Sequence, residues 1–158
     1  MSTDTAVGTA TPEPVDRIVQ LGFVNSYLVA EEDGLTVIDT MLPGGAAKIV
    51  RRAEQRGLPI VRILLTHAHA DHVGSLDALA KRVPDAEVII STRDARLLAK
   101  DKTLDPAEPE DKLRGSYPGA KTKPDTLINP GDRVGSLEAV AAPGHTPGQL
   151  AFVDQRDR

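Results

Sequence analysis

The 158 residues contain no cysteine and no tryptophan. Without thiolates there is no disulfide framework and no cysteine-rich structural zinc site, so stability rests on packing and any metal must be held by nitrogen and oxygen. Aromatics make up 3% of the chain, two Tyr and two Phe, which leaves Val, Leu, Ile and Ala to build a core and offers no platform for stacking bases. Basic residues never run longer than a pair, as in Arg51-Arg52 or Lys81-Arg82, and the net charge is -4, so no nucleic-acid partner is expected. The stretch Met1 to Glu13 has neither a basic start nor an apolar core, and reads as neither a signal peptide nor a membrane span. A cytoplasmic protein without a membrane partner is the default expectation, and residues 1–14 are expected to form a flexible tail.

What is present is 40% apolar and 27% charged, enough for one core, and residues 15–158 are taken as a single domain. Arg17 to Leu21, Val24 to Val29 and Leu35 to Asp39 read as three consecutive strands, with Asp33-Gly34 turning between the last two. Ala46, Ile49, Val50 and Ala53 recur at helical spacing up to a stop at Gly57. Val73, Leu76, Leu79, Ala80 and Val83 form a second helical stripe, with Gly74 in its first turn suggesting close backbone packing. Glu87 to Ile90 reads as a strand, and Ser91 or Thr92 can cap a short helix through Lys100, with Asp94 near its positive end. Residues 101–125 are charged and broken by four prolines, which reads as a lid, a binding loop or a mobile segment, with Tyr117 facing substrate. Strand character returns at 127–128, 133–134, 137–141 and 150–153, and the mixture favours an α/β sandwich.

The chemistry concentrates where the apolar run Val61 to Leu65 ends in Thr66-His67-Ala68-His69-Ala70-Asp71-His72. In extended chain, residues i and i+2 project to one side, so His67 and His69 can present two imidazoles to one ion. Asp71 and His72 diverge from that pair and are better placed to hold a second ion beside the first. The fourth histidine, His145, lies in Pro143-Gly144-His145-Thr146-Pro147-Gly148, a tight loop after another apolar run, from which it can give the first ion a third nitrogen. Donors of this kind suit Zn2+, one ion or two, and also iron or manganese.

The His67 to His72 signature and the later Gly144 to Gly148 motif resemble those of the metallo-β-lactamase superfamily, over a stretch from about Arg17 to the region of Asp154. The resemblance implies a four-layered αββα sandwich. It implies that His67, His69 and His145 bind one metal and Asp71 and His72 a second, with Asp71 also orienting the attacking water or taking its proton. It gives Asp39 the task of orienting the metal loop, where the residue alone could equally cap the following turn. The family's bridging aspartate and last histidine are expected downstream of the His145 hairpin, and Asp154, in the turn itself, is not given the bridging role, so the domain is expected to be C-terminally incomplete. The implied activity is metal-assisted hydrolysis of a small ester, thioester, lactone, amide or phosphoester, and the chain as given, without those downstream ligands, is expected to hold at most one metal firmly and to hydrolyse little or nothing. Two alternatives stand beside it: a mono-iron oxygenase of the same superfamily, separable by metal analysis, and a non-catalytic metal-binding fragment, separable by metal binding without turnover.

Overall fold

Each expected strand forms, and the order in which the strands pair determines where the polar residues gather. In the computed structural model, which describes residues 13–108 and 112–157, β1 (Val15–Gln20), β2 (Val24–Glu31) and β3 (Gly34–Ile38) make an antiparallel meander. Helix α1 (Gly45–Arg56) carries the chain to β4 (Ile60–Leu64), parallel to β3. Short helices α2 (Ala70–Val73) and α3 (Leu76–Arg82) lead to β5 (Glu87–Ser91), and α4 (Thr92–Leu98) precedes β6 (Thr126–Ile128). These six strands form one sheet in chain order, parallel from β3 to β6. A second, antiparallel sheet follows, made of β7 (Arg133–Val134), β8 (Leu137–Ala141) and β9 (Leu150–Asp154).

The two-residue period of the strands divides the apolar side chains between two cores. Leu28, Leu35, Val37, Ile63, Val88 and Ile90 face the helices and pack with Ile49, Ala53, Leu76, Leu79 and Leu97. Their neighbours Val29, Leu64 and Ile89, with Ile128, face the other way and meet Val134, Leu137, Ala139 and Leu150 of the small sheet. Each fully buried Leu or Ile contributes about 1.5–3 kcal/mol of transfer free energy, so both cores help to hold the layers together. Among the described residues all four α-helices contribute to the first core, giving helices, large sheet and small sheet as three successive layers of the expected sandwich.

The helical stripe expected from Val73 to Val83 is broken into α2 and α3 at Gly74-Ser75. The Ser75 hydroxyl accepts from the Gly45 amide (2.9 Å) and donates to the Leu42 carbonyl (2.6 Å), binding the break to the loop before α1. A Cβ at Gly74 would stand 2.5 Å from the Ala70 carbonyl oxygen and 2.7 Å from Pro43 Cδ, so close packing does explain that glycine.

Residues 101–108 and 112–125 make several contacts with the body. Arg93 pairs with Glu108, Arg96 with Asp101 and Asp105, and Asp77 accepts from the amides of Lys121 and Thr122. Of the tail expected over 1–14, residues 1–12 lie outside the described residues, while the Pro14 carbonyl accepts from the Ala30 amide at 2.8 Å. No helix among the described residues is long and apolar enough to cross a membrane.

Candidate metal centre

Strands β3, β4 and β5 run parallel, so their C-terminal ends open on one edge of the large sheet, where sites in such sheets form. Asp39 follows β3, the segment Thr66 to His72 follows β4, and Ser91 ends β5. The β8–β9 loop reaches the same edge from the small sheet, where the Leu150 amide donates to the Thr66 carbonyl at 3.0 Å.

The ring of His145 lies 4.9 Å from that of His67 and 4.5 Å from that of His69, centroid to centroid. One nitrogen from each of the three lies within 4.8 Å of the others. The hydrogen bonds around them decide which nitrogens are free. Asp39, nearly buried, accepts from the Thr66 amide (2.8 Å) and hydroxyl (2.7 Å). With its one proton committed to Asp39, the Thr66 oxygen accepts from His67 Nδ1 at 2.9 Å, leaving the His67 Nε2 lone pair free. That Nε2 is buried and has no partner among the described residues. His69 Nε2 donates to the Arg114 carbonyl (2.8 Å), which turns Nδ1 toward His145 Nε2, 2.9 Å away.

This donor set fits a metal ion. A buried imidazole nitrogen without a partner is costly, and an ion would supply the partner. Nitrogens in a tetrahedral zinc site stand about 3.3 Å apart for zinc–nitrogen bonds of about 2.0–2.1 Å, so the 2.9 Å His69–His145 contact has only to widen slightly. The electrostatics agree, because a ligand imidazole must be neutral. Burial, then repulsion from His72, His69 and His145, pushes the His67 pKa down to about 3. Burial also lowers His69, against the pull of its Arg114 hydrogen bond.

The second pair stands alongside. His72 packs its ring 4.0 Å from that of His67, and its Nδ1 bonds Asp39 at 2.6 Å. Burial opposes its charge, but the hydrogen bond and negative charge of Asp39, joined by Asp71, raise its pKa. Its Nε2 lies 3.4 Å from a carboxylate oxygen of Asp71, whose side chain is half exposed. Asp71 and His72 thus offer two donors to a second position. Asp154 is engaged elsewhere, paired with Arg156, which holds its pKa down at about 2.

Residues 19–158 match the family model described as the metallo-beta-lactamase superfamily. The chain belongs to the metallo-beta-lactamase superfamily. It is 49% identical over 135 residues to the uncharacterized protein YobT of Bacillus subtilis, covering 85% of this chain and 58% of that protein. It is 31% identical over 140 residues to the hydroxyacylglutathione hydrolase GloC of Haemophilus influenzae, covering 84% and 61%. Among solved structures it resembles BJP-1, a subclass B3 metallo-beta-lactamase of Bradyrhizobium japonicum, with 29% identity and a TM-score of 0.62, covering 82% of this chain and 49% of that one. The chain therefore spans about three-fifths of these curated relatives and half of the solved structure.

Metallo-beta-lactamase superfamily members bind metal ions, and the His67, His69 and His145 group is where this chain can hold one. Several supporting contacts had no signal in the sequence. The Arg114 and Ser116 carbonyls grip His69 and the Ala70 amide, and backbone atoms carry no residue-type signature. Tyr117, expected to face substrate, is instead 7% exposed and packs its ring 4.5 Å from that of His69, because the returning loop buries it against the core. Asp94, read only as complementing a helix end, is fully buried and accepts from Ala68, Thr146 and Gly148. A polar residue at position 91 with an acid three residues on was legible as a cap, and Ser91 does accept from the Asp94 amide, but the outward reach of that acid was not.

Proposed function

We propose that this chain carries the metal-binding centre of a zinc-dependent hydrolase acting on a small acyl substrate. The observation that carries this reading is the convergence of three imidazoles from two loops around His67 Nε2, which is buried and without a partner among the described residues. His67 Nε2, His69 Nδ1 and His145 Nε2 would hold the first ion, with Asp71 and His72 Nε2 offering a second position. When bound, the metal supplies a Lewis acid and brings the pKa of water to about 7. The protein's own work is to fix the tautomers through Thr66, Asp39 and Arg114, and to keep His67 neutral by burial. Asp71, half exposed beside the ligands, is placed to orient the attacking water and accept its proton. The similarity to a hydroxyacylglutathione hydrolase supports an acyl substrate.

The test is metal titration with elemental analysis, followed by assays on thioester, lactone, β-lactam and phosphoester substrates with and without chelator. The expected result is about one tightly held zinc per chain, weakened in His145→Ala, with whatever acyl hydrolysis the chain supports tracking zinc content. Zinc binding unaffected by loss of His67, His69 or His145 would overturn the metal centre. Hydrolysis indifferent to chelation would overturn the mechanism.

A further inference from the structure

Asp94 is a carboxylate with no exposed surface, placed in the first turn of α4 and outside the ligand set. One of its oxygens accepts from the Ala68 amide at 3.0 Å and from the Thr146 hydroxyl at 2.9 Å. The other accepts from the Gly148 amide at 2.9 Å. Ala68 lies between His67 and His69, while Thr146 follows His145. We propose that Asp94 is a positioning residue of the metal centre, its carboxylate setting the spacing between the loop that carries His67 and His69 and the loop that carries His145. This rests on the metal-binding reading above.

The chemistry calls for a carboxylate. Three donors converge on it, and an ionised carboxylate, which only accepts, can satisfy all of them. An amide cannot: with its oxygen toward Ala68 and Thr146 its NH2 meets the Gly148 N–H, and reversed it meets the Ala68 N–H. The fit is also tight, since a Cβ at Gly148 would stand 2.6 Å from the carboxylate and 2.7 Å from Arg93 Cβ. Helix capping does not explain these contacts. The cap of α4 is Ser91, and the Asp94 side chain bonds nothing in its own helix.

The experiment compares zinc affinity, by competition with a chromophoric chelator, in the parent, Asp94→Asn, Thr146→Val and His145→Ala. The visible spectrum of the cobalt-substituted protein and the thermal midpoint of the metal-free protein are measured alongside. Asp94→Asn should lose about 10–100-fold in affinity, with weaker cobalt absorption as His145 leaves the coordination sphere. Thr146→Val should lose several-fold in the parent background and nothing further in the His145→Ala background, because its hydroxyl acts through His145. A folded Asp94→Asn that binds zinc as the parent does would overturn the proposal. So would an equal loss from Thr146→Val with and without His145. If Asp94→Asn fails to fold, the Thr146→Val cycle decides alone. A parent that takes no zinc would defeat the metal reading itself, and this inference with it.

Discussion

Asp39 shows how much one side chain can determine. Its backbone sits in the left-handed region (φ 59°), unusual for any residue but glycine, though tolerated by aspartate. From there its carboxylate takes the Thr66 amide, the Thr66 hydroxyl and His72 Nδ1. Asp39→Asn should destabilise the protein by about 1–3 kcal/mol, since an amide must turn its NH2 toward a donor, and NMR titration should find the His72 pKa lowered. Asp71 is the contrast: its side chain is half exposed, so Asp71→Asn should stay within about 0.5 kcal/mol of the parent while losing turnover, as thermal melts and assays would show. The buried histidine also gives the metal-free protein a pH dependence. His67 takes a proton at its ordinary value of 6.5 when unfolded and only near about 3 when folded. Between those values the unfolded state binds more protons, so stability falls as pH drops from about 6.5 toward 3. His72 acts with the opposite sign, its contribution complete below pH 6.5 and lost as pH rises through its elevated folded value. Denaturant melts of the chelated protein across this range should show the acid loss, reduced in His67→Gln.

At the level of elements, the segment leading through Arg114 to Tyr117 behaves as a wall of the site. Gly115 has φ 87°, and a Cβ there would lie 2.5 Å from His69 Nε2. Gly115→Ala should therefore cost about 1–2 kcal/mol in backbone conformation and also displace the His69 ring, so zinc affinity should fall alongside the thermal midpoint. An unchanged affinity would show that the loop can give way without moving the histidine. The strands were legible because runs such as Glu87 to Ile90 and Leu137 to Ala141 bury side chains by alternation or continuity, which composition records directly. The candidate ligands, four histidines and Asp71, were legible because few other uses bring imidazoles together at that spacing. The wall was not, because it is built from carbonyls of Arg114 and Ser116 in a proline-broken stretch without periodicity. The break between α2 and α3 was hidden for a related reason: Val73, Leu76 and Leu79 keep a helical rhythm, while Ser75 turns its hydroxyl to the neighbouring loop.

Across the whole molecule, the metal centre lies at the seam between the two sheets. His67 and His69 follow a strand of the large sheet, His145 precedes a strand of the small one, and the Leu150 amide bonds the Thr66 carbonyl across the gap. Zinc at a hundredfold excess over its dissociation constant should stabilise the protein by about 2.7 kcal/mol, visible as a rise of several degrees in the melting midpoint. Chelation should loosen β8 and β9 before β3, β4 and β5, and hydrogen exchange resolved by strand would show whether it does. The pairing of His69 with His145 has one further consequence for the chain as a polymer. The two are 76 residues apart, so an ion gripped by both acts as a reversible cross-link around a loop of that length. Closing such a loop is entropically expensive for a disordered chain. If the same residues capture zinc before folding is complete, the ion removes part of that cost in advance. Refolding would then start from a tethered coil, and should run faster with zinc present from the outset than with zinc added after the sheets have formed.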